Sequence, residues 1–152
     1  MLAFTHAAFA IFLYLILVKF SGFQLSWIYF LIAIFFSTLP DVDIKLRLKH
    51  RGILHSLFAL FTLFCLCYLL FTCKLLTKQL TLLICLAYGS HLIADSLTKQ
   101  GIKWFWFTGH VKGWMRTGKI EEYIFFGLLV FLILIQLGLV KFNLIGWLIR
   151  IR

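Results

Sequence analysis

Acidic charge is nearly missing from this chain. Only five of its 152 residues are Asp or Glu, against 15 Lys and Arg, and charged residues make up 13%. Soluble domains carry about a quarter charged residues, so an ordinary aqueous surface is excluded. Proline is scarcer still: Pro40 is the only one. With no Pro- or Ser-rich tract, low-complexity run or internal repeat, nothing marks a domain boundary, and residues 1–152 read as one domain. Cysteine does not fill the gap. Cys65, Cys67, Cys73 and Cys85 all lie in apolar runs, where thiols behave as small hydrophobes. Residues two apart on a helix point away from each other, so Cys65 and Cys67 make a poor metal pair, and no disulfide framework is implied.

Apolar residues are what the chain has in excess: 63% of the sequence, with a mean hydropathy of +1.04. Five apolar stretches stand out, at about residues 4–18, 25–39, 53–73, 79–97 and 123–140. A spanning helix needs roughly 17–25 apolar residues. The first two stretches are short and span only with snorkelling flanks or local thinning of the bilayer. Met1 to His6 carries no Lys or Arg, unlike the basic start of a signal peptide, so the first stretch reads as a retained helix. Residues 99–119 place Trp104, Phe105, Trp106, Phe107 and Trp114 among lysines, the composition of a segment lying at headgroup depth. The expected fold is therefore all-α: a polytopic membrane bundle of about five embedded helices plus an interfacial aromatic loop.

The net charge of +10 falls mostly in short segments between apolar runs. That pattern suits anionic lipid headgroups; a nucleic-acid partner would need a soluble basic face, which is lacking. Lys45, Arg47, Lys49, Arg51, Lys99, Lys103, Lys112, Arg116 and Lys119 fall on one predicted side, and Lys19, Lys74, Lys78, Lys141, Arg150 and Arg152 on the other. Nine against six puts the first side, with the N-terminus, in the cytoplasm.

The rare polar residues are segregated. His6 begins the first stretch, Asp41 and Asp43 end the second, His50 and His55 open the third, His91 and Asp95 close the fourth, and Glu121 and Glu122 precede the fifth. Helices alternate in direction, so all of these reach one membrane face, the predicted cytoplasmic one. An ionisable residue within a membrane costs about 2.5–3.5 kcal/mol on insertion scales and is usually functional. Each motif has a plainer reading. His91 and Asp95, four apart, can pair on a helix; Pro40-Asp41-Val42-Asp43 can simply stop one; His50 and His55 can anchor at the interface, and His110 belongs to the aromatic loop. Their convergence favours a metal site.

Nitrogen and oxygen donors without a thiol point to a divalent ion, Zn first, with Mn or Fe next. Seven candidate ligands (His6, Asp41, Asp43, His50, His55, His91 and Asp95) exceed the three protein ligands of a mononuclear catalytic zinc, leaving room for two ions and phosphoester hydrolysis. A spare carboxylate such as Asp43 or Glu122 is the expected base, and Arg51 the expected partner of an anionic phosphate. Ser56 is a candidate to orient ligand or substrate.

His6, Leu39-Pro40-Asp41-Val42-Asp43, His50-Arg51-Gly52-Ile53-Leu54-His55-Ser56 and the run from Gly89 to Gly101 containing His91 and Asp95 together resemble the bacterial and archaeal YdjM-like membrane-bound metal-dependent hydrolases. The resemblance covers residues 6 to about 125, with the motifs in family order. It implies a polytopic helical protein of the prokaryotic inner membrane with metal-dependent hydrolase activity; with the site read at one membrane face, the expected substrate is a lipid or other amphiphilic phosphoester at the cytoplasmic leaflet. The family's Thr-Gly-Ser-x-x-Glu segment is matched by Thr117-Gly118-Lys119-Ile120-Glu121-Glu122; spacing favours Glu122 over Glu121. A looser likeness, of spacing only, links the set to zinc-dependent phospholipases C. Two competing functions use the same ligands: a divalent-metal transporter or sensor, and a non-catalytic scaffold with a structural metal.

Overall fold

The computed structural model describes residues 1–42, 52–105 and 108–138. Five α-helices carry most of them: α1 Ala3–Ser21, α2 Trp27–Thr38, α3 Leu57–Thr72, α4 Lys78–Ser96 and α5 Ile120–Gln136. Short 3-10 turns at Leu39–Asp41 and Ile53–His55 follow α2 and precede α3. Helix α4 is the hub, packed against α1, α2 and α3, while α5 lies on α1. Ala10, Ala33 and Ala87, all fully buried, let α1, α2 and α4 approach closely around Tyr14 and Leu83, as small residues do between membrane helices.

Polar and apolar residues are distributed inside out. Thr5, His6, Ser37, His91, Asp95 and Glu122 are buried. Large hydrophobics are exposed along α2 (Trp27, Leu31, Phe35), α3 (Phe58, Phe61, Leu69) and α5 (Ile124, Leu128, Phe131). Apolar surface on this scale marks a protein made to meet another apolar phase. Among the described residues, α1 is long and apolar enough to cross a membrane; Trp27–Asp41 and Leu57–Thr72 are shorter apolar segments. At 1.5 Å per residue, the 16 residues of α3 extend about 24 Å, short of a hydrocarbon core near 30 Å.

Two expectations need correction. The third apolar stretch does not enter its helix at Ile53. Residues Ile53–His55 form a 3-10 turn, and the Ser56 hydroxyl then caps α3 by accepting from Ala59 N at 3.4 Å while donating to Ile53 O at 2.5 Å. Ser56 is thereby committed to the backbone rather than to a ligand. Nor is the aromatic loop irregular, so the fold is not purely helical. Ile102–Phe105 pairs with Thr108–Val111 as an antiparallel hairpin, Ile102 opposite Val111 and Lys103 opposite His110. Alternation of buried Ile102 with exposed Lys103 favours a strand. Gly109, at φ 75°, takes a conformation that side chains disfavour. Beyond the hairpin, Lys99 N and Met115 N bond to Met115 O and Leu97 O at 2.7 and 3.1 Å, seating the segment on the end of α4.

At the other end of α4, Tyr14 donates to Gln24 O at 3.1 Å, and Gln79 clasps the backbone of Gln24 through both amide atoms. This contact ties the α1–α2 turn to the start of α4. It contains no acidic residue or histidine.

Candidate metal centre

Five side chains from four elements meet at one end of the bundle. His6 comes from the first turn of α1, Asp41 from the turn that ends α2, His55 from the turn that opens α3, and His91 and Asp95 from the last turns of α4. Pro40 sits in the first turn of its 3-10 helix, where a missing N–H does least harm, and so brings α2 to its end beside Asp41. The turn carrying His55 is fixed from α4: the Tyr88 hydroxyl donates to Leu54 O at 2.6 Å.

His91 has a defined orientation. Its Nδ1 lies 2.6 Å from the carbonyl oxygen of Ser37, in the last turn of α2, where carbonyls lack helical partners. A carbonyl only accepts, so Nδ1 carries the proton and Nε2 keeps its lone pair. Imidazoles that bind metals are commonly held in this way.

Around that lone pair the distances are regular. His91 Nε2 lies 3.1 Å from His55 Nε2, 3.6 Å from Asp41 Oδ1 and 3.8 Å from Asp95 Oδ2. His55 Nε2 lies 3.4 Å from Asp41 Oδ1 and 3.7 Å from Asp95 Oδ2. The two imidazole nitrogens form one close triangle with Asp41 Oδ1 and another with Asp95 Oδ2. A regular tetrahedron with edges near 3.5 Å has its centre about 2.1 Å from each corner, the bond length of zinc to imidazole and carboxylate. Donor spacings of this size suit a divalent ion, and His55, His91 and Asp95 form one group able to hold it, His6, Asp41 and His91 another.

Asp95 faces two ways. While Oδ2 joins this set, Oδ1 lies 3.4 Å from His6 Nε2 and 2.5 Å from the Met1 ammonium. His6 is fully buried, its ring stacked on His91 with centroids 3.8 Å apart and planes 16° from parallel. His6 Nε2 has only this long contact with Asp95, and Nδ1 makes no hydrogen bond among the described residues, a costly state for a buried polar group.

Glu122 has a different place from the one expected of a base. It is fully buried, and its two oxygens accept from Leu2 N and Gly118 N, each at 2.6 Å. Leu2, the residue preceding α1, has no side chain to cap it, and Glu122 bonds that backbone N–H from α5. Its carboxylate is occupied in holding the segment that carries His6. Glu121, its neighbour, is only half-buried. His110 lies apart, exposed on the hairpin, with Nε2 3.0 Å from Gln100 O. Asp43, His50 and Arg51 lie outside the described residues. Sequence reading missed Ser37, which acts through its backbone, and Tyr88, three residues before His91 on the same helix; neither carries a motif signal.

The family model described as YdjM inner membrane protein matches residues 1–150. The chain belongs to the YdjM inner membrane protein family. That match covers every residue of the centre and accounts for the exposed apolar surface, since a YdjM protein meets lipid where a soluble one meets water. No curated protein and no solved structure matches this YdjM-family chain.

Proposed function

We propose that the chain is a multi-pass, membrane-embedded, metal-dependent hydrolase that cleaves a phosphoester of a lipid or other amphiphile at the cytoplasmic face of the inner membrane. The observation that carries this reading is the close gathering of Asp41, His55, His91 and Asp95 donor atoms, with His91 fixed by the Ser37 carbonyl. Zinc suits two imidazoles and two carboxylates best, Mn and Fe next. When bound, such an ion supplies Lewis-acid activation of water and of the scissile ester. The protein's own part is positional: Tyr88 and Ser37 hold the two imidazoles, Asp95 and Asp41 supply negative charge, and Glu122 secures the entry of α1.

Placement supports hydrolysis over transport. Transporters bind cargo near the midplane, between broken helices, whereas these ligands lie at helix ends. The opposite end of the bundle offers Tyr14, Gln24 and Gln79 bound to one another. The multi-pass topology rests on the alternation of the apolar helices, and the cytoplasmic side on the nine-to-six count of basic residues.

The test is metal content of purified wild type beside Asp95→Ala, by plasma mass spectrometry, followed by a screen of phospholipid substrates. Zn or Mn bound by wild type and lost by the variant, with release of a phosphate-containing headgroup, is the expected result. Wild type that holds no metal after incubation with Zn or Mn refutes the reading. Bound metal with no hydrolysis of any phosphoester leaves a structural-metal scaffold instead.

A further inference from the structure

The groove between α3 and α4 has no part in the metal centre. Its head is a cavity of about 160 Å³ walled by Leu57 and Leu60 of α3 and by Leu92 and Ile93 of α4, with Gly89 and the Trp104 ring completing the lining. From there a more open groove of about 400 Å³, sharing Leu57 and Leu60, runs on past Phe61, Phe64 and Cys85. Leu57 to Phe64 is two turns of helix, about 10 Å at 1.5 Å per residue. Packed protein holds few voids larger than a water molecule, and a dry cavity of about 150 Å³ with such a lining takes up hydrocarbon.

Three observations point to what fills it. Gly89 lies in the interior of α4, where glycine is less favourable than alanine. Close packing does not demand it, because a Cβ there would meet only side-chain carbons of Leu60, at the ordinary contact distances of 3.8 and 4.0 Å. What the missing side chain leaves is the opening itself. At the head of the groove, Trp104 Nε1 is buried and has no hydrogen-bond partner among the described residues, a costly state for an indole N–H. A bare hydrocarbon offers it nothing, whereas the carbonyl oxygen of an acyl ester is an acceptor once the ring turns toward it. The charge around this end has one sign. Residues 97–116, the hairpin and its flanks, hold Lys99, Lys103, Lys112 and Arg116, all exposed, and no acidic residue. That complements the phosphate of an anionic lipid.

We infer that this groove holds one acyl chain of an anionic phospholipid, with the chain lying between α3 and α4 and its ester carbonyl at Trp104 Nε1. Leu92 and Ile93 lie between His91 and Asp95 along α4, and the strand bearing Trp104 packs against the turn Ile53–His55. A lipid seated here therefore keeps its headgroup at the end of the bundle where the metal ligands gather. That this lipid is the substrate rests on the hydrolase reading of the preceding section; that it binds does not. Gripping the tail sets the depth of the phosphoester, so the groove selects for acylated substrates over free phosphoesters.

The experiment uses the full-length chain in detergent, stripped of lipid and treated with a chelator so that no lipid is turned over. It is titrated with phosphatidic acid, or with phosphatidylcholine of the same chains, under native mass spectrometry. Wild type should take up one phosphatidic acid well before a second lipid and in preference to phosphatidylcholine. Gly89→Leu, which fills the cavity, should weaken that first binding about tenfold or more. Trp104→Phe, which keeps a ring and removes the N–H, should weaken it about fivefold. A phosphatidic acid with a diazirine in one acyl chain locates the lipid in wild type alone: it should label α3 between Leu57 and Phe64 and α4 between Gly89 and Ile93, well above the exposed face of α5 at Leu128 and Phe131. Equal labelling of α3 and α5, or unchanged binding by Gly89→Leu, overturns the site. Groove labelling in a chain that holds no metal sustains the lipid site and removes its role in hydrolysis. Metal binding and hydrolysis without a preferred lipid in the groove overturn this inference and leave the hydrolase reading intact.

Discussion

Glu122→Gln is a small change in shape with a large effect expected. Both oxygens of the native carboxylate accept from backbone N–H groups, Leu2 N and Gly118 N at 2.6 Å each. The amide keeps one acceptor and turns an NH₂ group toward the other N–H, so one bond becomes a donor–donor contact. A hydrogen bond to a charged group contributes about 1.5–3 kcal/mol, and a buried donor left unsatisfied costs about 1–3 kcal/mol. These overlap as one lost contact, and the net expectation is a loss of about 2–3 kcal/mol. The effect should be local before it is global. Hydrogen exchange of purified protein in detergent should speed up first in the opening turn of α1, which holds His6, and around Gly118. Thermal unfolding should shift down by several degrees. Glu121→Gln, at a half-buried position with one buried carboxylate oxygen that makes no hydrogen bond among the described residues, is the charge-matched comparison and should leave exchange at residues 2–6 and around Gly118 unchanged. Equal effects from the two substitutions would refute the argument that Glu122 secures α1. A Glu122→Gln variant with native exchange at residues 2–6 but lower metal occupancy would show instead that the carboxylate is a ligand.

Two other substitutions test the architecture around the centre. Tyr88→Phe removes the hydroxyl that donates to Leu54 O while keeping the ring; stability should fall by about 1 kcal/mol, and metal affinity, measured by competition with a chromophoric chelator, by roughly tenfold or more, as outer partners of metal ligands do. Gly113→Ala places a Cβ 2.0 Å from the Leu97 carbonyl oxygen, so the backbone seating the hairpin segment must shift at a cost of about 1–3 kcal/mol, seen as faster tryptic cleavage at Lys112 and Arg116.

How much of this was legible depends on whether the signal was periodic or conformational. The gathering of His6, Asp41, His55, His91 and Asp95 at one end follows from alternation alone: helices that reverse direction put each odd start beside each even end. The His91–Asp95 spacing fixed a shared helix face without any tertiary information. Conformational detail was hidden. Nothing in Ile53-Leu54-His55 separates a 3-10 turn from the first turn of a helix, because the residues are equally apolar either way; the Tyr88–Leu54 bond and the Ser56 cap decide it. The hairpin was obscured by its own aromatic residues, since Trp and Phe among lysines signal headgroup depth and strand equally well. Glu122 carried only its charge, and a backbone partner 120 residues away leaves no mark in sequence.

The placement of the centre has a physical logic beyond the choice of ligands. A metal site in the middle of a bilayer-embedded bundle would have to bring each charged ligand into hydrocarbon from every side. At helix ends the fold already provides compensation. Terminal carbonyls that lack helical partners orient imidazoles, as Ser37 does for His91, and terminal N–H groups neutralise carboxylates, as Leu2 N does for Glu122. Helix α4 can therefore remain the most buried element of the bundle while presenting His91 and Asp95 in its last turns. On the proposed multi-pass topology, the same arrangement would bring the ligands toward the depth at which a lipid phosphate lies. The ends of α1, α2, α3 and α4 are thus what bring the site together, and on the proposed metal-site reading, weakening any one of those terminal contacts should be felt in metal affinity before it is felt in the helical core.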